Sequence, residues 1–309
     1  MKFSVTYPLV SRPCAPELLT GDAVGRFART AEGAGFDGVG FTDHPAPTQR
    51  WLEAGGHDAL DPFAALAFCA AATTRLRLIP NIVVLPYRNP FVVAKAVATI
   101  DALSGGRFTL AVGTGYLRGE YRALGVDYDA RNDLFDEAIE VLRGVWTVDG
   151  FVYEGGAFSA RGQTADPKPV PRPPIWIGGN SARSRERVAA KGDGWVPFLA
   201  PAPLATTART AALESVDQLA VMLDDLWDRV RAVDRSLADI DVSFACRAGG
   251  DPASPEFDVD LHRAGLDELA ALGVTWVGVG VPGDSLGHAL ETLERYGEQV
   301  IAPHRSVRR

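Results

Sequence analysis

Short β-rich runs alternate with longer stretches of helical period from one end of the chain to the other. The strand candidates are Phe3–Tyr7, Gly38–Thr42, Leu76–Val84, Phe108–Gly113, Ile175–Gly178, Gly194–Pro197, Val242–Arg247 and Trp276–Val281. A helix candidate follows each in turn. The first covers roughly Pro16–Ala34, and the next two open at Asp61-Pro62 and Asn89-Pro90, each an N-cap followed by proline at the first helical position. Phe135, Ile139, Leu142 and Trp146 recur at helical spacing, as do Leu219, Leu223, Leu226 and Val230, so both stretches should lie against a sheet. A fifth helix starts at Ser181, a seventh covers about Asp258–Leu272, and the last runs from Leu286 to about Ile301.

Eight strand–helix units with no long all-β or all-α segment predict parallel strands joined by right-handed crossovers. Eight is also the count at which such a sheet closes on itself. The expected fold is α/β, a single (β/α)8 TIM barrel spanning residues 1–309, with a doubly wound open sheet as the alternative. The loops Asp149–Pro174 and Leu199–Thr210 are rich in Gly, Pro and small residues and show no core-forming pattern. They read as surface insertions at the C-terminal face.

Composition narrows the partners. The net charge is −8, and Lys2, Lys95, Lys168 and Lys191 are the only lysines, so nucleic acid and anionic membrane surfaces are both repelled. Arginine is scattered, with one small cluster at Arg183, Arg185 and Arg187. Cys14, Cys69 and Cys246 are odd in number and far apart, which suits free thiols better than a disulfide framework. Met1-Lys2-Phe3-Ser4-Val5 reads as strand rather than as a targeting leader, and no apolar run approaches the ~18 residues needed to span a bilayer. The expected compartment is the cytoplasm and the expected partner a small-molecule substrate.

In a barrel of this kind the active residues come from strand ends and the loops after them. Strand two ends in Thr42-Asp43-His44-Pro45, where a carboxylate beside an imidazole is either a proton-transfer group or a turn cap next to a solvated histidine. Asn81, inside the β-branched run Ile82-Val83-Val84, is either turned toward a ligand or a satisfied interior amide. After strand four, Gly113-Thr114-Gly115-Tyr116 either lets backbone approach a ring or phosphate, or is a loop needing positive φ; Glu120 lies further along. After strand five, Gly178-Gly179-Asn180-Ser181 is the strongest phosphate signal, since amides at a helix N-terminus attract anions. A tight turn with Ser181 as a plain N-cap is its other reading. Gly280-Val281-Pro282-Gly283-Asp284 competes for the phosphate role. His57, Asp58 and Asp61 read as capping and solvated residues rather than metal ligands, and His262, His288 and His304 fall away from the catalytic face.

Several of these segments, in this order, resemble the luciferase-like monooxygenase superfamily, and within it the oxidoreductases that use the deazaflavin coenzyme F420. The most specific stretches are Leu85-Pro86-Tyr87-Arg88-Asn89-Pro90, Ala98 to Phe108 with its Ser104-Gly105-Gly106-Arg107, Gly113-Thr114-Gly115, Pro173 to Gly179, and Gly192-Asp193-Gly194-Trp195. The likeness is generic beyond Pro201. The resemblance implies a luciferase-like barrel with the cofactor ring across the strand ends, a cis peptide at Asn81-Ile82 behind it, and Ile82 and Val83 in its seat. It implies that Gly113, Gly115 and Tyr116 flank the cofactor, that Gly178, Gly179, Asn180 and Ser181 hold its phosphate, and that Asp43 and His44 stand near the reactive ring atom. It also implies F420, or alternatively FMN, as cofactor, and a homodimer as one assembly. One departure stands out. Some deazaflavin dehydrogenases carry an acidic residue after the glycines where this chain has Tyr116, leaving Glu120 as the nearest carboxylate with a catalytic role to test.

Overall fold

The computed structural model describes residues 1–9 and 14–306. Nine parallel strands form one curled sheet: β1 (Lys2–Thr6), β2 (Gly38–Gly40), β3 (Arg77–Leu78), β4 (Val83–Val84), β5 (Leu110–Gly113), β8 (Ile175–Gly178), β9 (Gly194–Val196), β10 (Asp241–Phe244) and β11 (Trp276–Val279). Their order is β3-β2-β1-β11-β10-β9-β8-β5-β4. Strands β6 (Phe151–Glu154) and β7 (Ser159–Gln163) form a separate antiparallel pair. All eight expected strand positions are occupied. The third differs from expectation, because Leu76–Val84 is interrupted between β3 and β4. Pro80 has no amide to continue the ladder, and the Asn81–Ile82 peptide is cis.

That interrupted segment joins the two ends of the sheet. On one side Ile79 and Asn81 donate their amides to the carbonyls of Val39 and Phe41 at 2.9 and 2.8 Å. On the other, Leu78 bridges in parallel to Phe108, and β4 pairs with β5 in the register Val83–Val112 and Val84–Gly113. The sheet therefore curls until its first and last strands are two halves of one chain segment.

The helices are α1 (Gly21–Gly33), α2 (Gln49–Glu53), α3 (Pro62–Ala72), α4 (Pro90–Ser104), α5 (Arg118–Ala123), α6 (Arg131–Thr147), α7 (Ala182–Lys191), α8 (Ala202–Ala208), α9 (Val216–Ala232), α10 (Val259–Ala271), α11 (Leu286–Tyr296) and α12 (Ala302–Ser306). The expected caps are in place. Asp61, Asn89, Ser181 and Asp258 each accept a first-turn amide, which satisfies donors that have no intrahelical partner. Phe135, Ile139, Leu142 and Trp146 on α6 are buried, as are Leu219, Leu223, Leu226 and Val230 on α9. One continuous apolar core runs between sheet and helices.

Both insertions carry more structure than their composition suggests. Residues 149–174 contain the β6–β7 hairpin, whose Phe151 and Ala160 are buried in the core, with Phe151 packed where Gly144 leaves room. Residues 199–210 contain α8, and beyond it Leu213 is buried and pairs with Ala200. No helix among the described residues is long and apolar enough to cross a membrane.

A carboxylate fixes the entrance to β3. Glu32, near the end of α1, accepts the amides of Thr74, Arg75 and Leu76 and the Thr74 hydroxyl. Burial pushes its pKa up, but the amides of Arg75, Leu76 and Thr74 outweigh that and hold it below the usual carboxylate range. We expect Glu32→Ala to cost about 2 kcal/mol in urea unfolding. The wild-type advantage should be complete above the free carboxyl range of about 4.3 and shrink as pH falls below it. A variant of unchanged stability at neutral pH would contradict this.

Candidate functional site

The C-terminal ends of β2, β4, β5, β8 and β9 open onto one cleft of about 270 Å³. Its walls include Thr42, His44, Ile82, Gly113, Tyr116 and Gly178, so segments far apart in sequence meet on one rim. Sites on parallel α/β sheets form at this end because the βα loops converge there.

The floor is the side chain of Ile82. A Cβ on Gly113 would stand 2.4 Å from Ile82 Cδ1 and one on Gly178 would stand 2.6 Å from it. These two glycines admit the isoleucine side chain between β5 and β8 at the strand ends. Gly115 (φ +64°) and Gly179 (φ +107°) hold backbone conformations that side-chain-bearing residues rarely adopt. Asn81, beside Ile82, donates its side-chain amide to Thr6 Oγ1 at 2.9 Å and also faces the cleft. Val83 turns the other way and is buried in the main core.

His44 stands over one side. Its Nδ1 is 3.2 Å from Glu120 Oε2. A carboxylate accepts, so in the neutral ring Nδ1 carries the proton and Nε2 keeps its lone pair, with no hydrogen-bond partner of its own among the described residues. Glu120 is 0% exposed and also accepts the Ala46 amide at 3.1 Å and the Tyr87 hydroxyl at 3.0 Å. Burial first, then the Glu120 charge, pushes the Tyr87 phenol far above its ordinary value, so Tyr87 is a fixed donor. Trp51, His57 and Tyr116 enclose the imidazole, with ring centres 4.6, 5.0 and 6.5 Å away. Burial lowers the pKa of His57 and raises that of Tyr116, so both neighbours are neutral near pH 7.

Asp43, next in sequence to His44, does different work. It is 3% exposed and accepts a two-pronged contact from Arg88 (2.5 and 2.8 Å) and the Val84 amide (2.9 Å). Desolvation pushes its carboxyl up, Arg88 and the Val84 amide pull it back, and the fork geometry is that of an ion pair. Asp43 thus braces β4 rather than contacting His44. Adjacent residues on extended chain point opposite ways.

At the far wall, Ser181 caps α7, its oxygen accepting the Ser184 amide at 3.1 Å. The Gly179 and Asn180 amides have acceptors in Val196 and Thr210. The amides of Ser181, Ala182 and Arg183 have none among the described residues, so with Gly178 and Gly179 beside them they could hold an anion. The Asn180 side chain is not part of that cradle. It is 0% exposed and ties down the second insertion through Phe198 and Ala211. Arg183, Arg185 and Arg187 are likewise paired with Asp133, Asp136 and Asp225 on α6 and α9. The competing turn before α11 holds Asp284, whose carboxylate already accepts the Ser285 amide and contacts His288. An anion is disfavoured there. His262 is buried between the Ala248 carbonyl and the Tyr296 hydroxyl. No group of three His, Cys, Asp or Glu among the described residues could hold a metal ion.

Sequence reasoning gave no role to Arg88, Tyr87 or Arg209: the first two lie 45 and 33 positions from their partners Asp43 and Glu120, and Arg209 lines the cleft together with Ser181. The motif Pro86-Tyr87-Arg88-Asn89-Pro90 marked the first two, and nothing in their spacing names their partners.

The family model for luciferase-like monooxygenase matches residues 1–247. The chain belongs to the luciferase-like monooxygenase family. An FMNH(2)-dependent dimethylsulfone monooxygenase of Pseudomonas fluorescens (strain Pf0-1) is 34% identical over 174 residues, covering 54% of this chain and 45% of that protein. The monooxygenase RslO1 of Streptomyces bottropensis superposes with a TM-score of 0.78 at 23% identity, over 98% of this chain and 100% of that one. An F420-dependent secondary alcohol dehydrogenase in complex with an F420-acetone adduct superposes with a TM-score of 0.73 at 18% identity, over 97% and 98%. At these identities the two superpositions establish a shared fold. The proteins this chain resembles thus include one described as FMNH(2)-dependent and one described as F420-dependent.

The division of labour between Asp43 and His44 is testable. Asp43→Ala leaves Arg88 without its main partner in a largely buried position, and we expect a loss of about 3 kcal/mol in urea unfolding. His44→Ala, which leaves Glu120 the Tyr87 hydroxyl and the Ala46 amide as partners, should cost less than Asp43→Ala. Equal costs would contradict the assignment of Asp43 as a brace.

Proposed function

We propose that this chain is an oxidoreductase that moves a hydride between the deazaflavin coenzyme F420 and a small organic substrate, on a closed (β/α)8 barrel. The observation that carries the reading is His44, held by the buried Glu120 so that Nε2 is free over an apolar floor. The cleft fits a planar ring with an anionic tail: Ile82 between Gly113 and Gly178 offers the plane, and the open amides of Ser181, Ala182 and Arg183 offer the anion cradle. When bound, the coenzyme supplies the two-electron chemistry.

The protein's share is proton handling and positioning. Nε2 of His44 takes a proton from the substrate in one direction and returns it in the other. Glu120 keeps Nδ1 protonated through the cycle and steadies the imidazolium while it exists, as Tyr87 and the Ala46 amide keep Glu120 in place. Trp51, His57 and Tyr116 pack around the imidazole and shield most of it from water.

A second reading is an FMN-dependent monooxygenase using the same seat, supported by the 34% identity to the dimethylsulfone monooxygenase. A flavin-binding barrel without turnover is the non-catalytic alternative. Titration of the purified protein with each coenzyme separates the first two, and binding without turnover of any donor or acceptor selects the third. We expect F420 to bind and FMN to bind more weakly or not at all; FMN-only binding selects the second reading, and failure of both rejects the cofactor assignment. His44→Ala should lower turnover by about 10²–10⁴-fold while leaving coenzyme affinity within about a factor of two. Undiminished turnover would remove His44 from the mechanism.

A further inference from the structure

Three guanidinium groups gather round one tyrosine at the edge of the cleft. Arg118 and Arg131 each lie 4.0 Å from the centre of the Tyr128 ring, and Arg209 lies 5.3 Å from it. Those distances keep the three cations within about the 10 Å screening length of 0.1 M salt, so they repel one another. Cation–π attraction to a single ring offsets part of that repulsion without neutralising any charge. Counter-charge is sparse. Arg118 pairs with Asp129 at 3.2 Å, both side chains being more than half exposed, and neither Arg131 nor Arg209 has an ion-pair partner among the described residues. The Tyr128 hydroxyl, on a residue only 6% exposed, has no hydrogen-bond partner among the described residues.

The position of the cluster matters as much as its charge. Arg118 opens α5, directly after the loop Gly113–Tyr116, and Arg131 opens α6. Arg209 ends α8 in the second insertion and lines the cleft together with Ser181 and Ser184. Its neighbour Thr210 accepts the Asn180 amide at 2.9 Å, which sets Arg209 beside the N-terminus of α7. The cluster thus bridges the two rims that flank the anion cradle. The arginines on α7 itself are all paired to aspartates, whereas Arg131 and Arg209 have no ion pair among the described residues and Arg118 has only the exposed one with Asp129.

We propose that Arg118, Arg131 and Arg209 form a second anion site, which binds the carboxylates that a deazaflavin coenzyme carries beyond its phosphate. The inference rests on the coenzyme reading above and sharpens it. FMN ends at its phosphate and leaves the second site unfilled, whereas the glutamyl carboxylates of F420 reach past the cradle. The site favours the longer, more acidic tail by charge, without any contact to the ring.

The test is a fluorescence titration of the intact protein with F420 carrying several glutamates, with the same deazaflavin lacking glutamates, and with FMN, at low and high salt. The comparison protein is the double variant Arg118→Gln and Arg131→Gln, neither residue lining the cleft. The wild type should bind the glutamylated form about tenfold more tightly than the tail-free form at low salt, a gap of about 1.4 kcal/mol, and salt should narrow it. The double variant should lose that gap and keep its affinity for the tail-free form. An equal gap in both proteins, or no gap in the wild type, overturns the inference while leaving the coenzyme reading intact. Equal weakening of all three ligands in the variant also overturns it, by making the cluster the phosphate site itself. No binding of either deazaflavin rejects the coenzyme reading and the second site with it.

Discussion

A carboxylate without solvent exposure must be surrounded by donors, and Glu120 is the point at which this requirement organises the cleft. Its three partners come from the loop after β2, which supplies His44 and Ala46, and from the turn before α4, which supplies Tyr87. The acid itself sits on the short α5 beyond β5. Burying such a group unpaired costs several kcal/mol, so the three segments hold one arrangement. The orientation of the His44 ring follows from that arrangement.

The buried pair of Asp43 and Arg88 extends the same logic to the other side of the chain. Asp43 ties the end of β2 to β4 across the interruption at Asn81–Ile82, where the sheet has lost its regular ladder. Ile82 is thereby held in the space that Gly113 and Gly178 leave open. Two adjacent residues, Asp43 and His44, thus serve opposite purposes: one stiffens the scaffold behind the floor and the other faces the cleft in front of it.

Much of this was legible in the residues. Period alone located the strands, and N-caps such as Asp61-Pro62 and Asn89-Pro90 located the helix starts, because both signals depend on neighbours in sequence. The interruption of the third strand was legible through the family resemblance, which implied the cis peptide at Asn81-Ile82, and not from the period of the run. Asn180 read as a ligand-facing amide because it sits beside Gly178-Gly179, yet its side chain satisfies the backbone of residues 198 and 211, a demand set by an insertion far along the chain. Val83 followed the alternation of its strand into the core. Helices α2, α5 and α8 were not anticipated, since five to seven residues of mixed polarity carry no clear period. The partners of Asp43 and Glu120 lie tens of residues away, and nothing local encodes such pairings.

The most direct measurement is ¹⁵N NMR of the His44 ring in the protein labelled at histidine, recorded at a pH where the imidazole is neutral and compared with Glu120→Gln. The account predicts a wild-type ring with the proton on Nδ1 and a bare Nε2, and loss of that single tautomer in the variant. A wild-type ring protonated at Nε2, or a tautomer indifferent to Glu120, would contradict it.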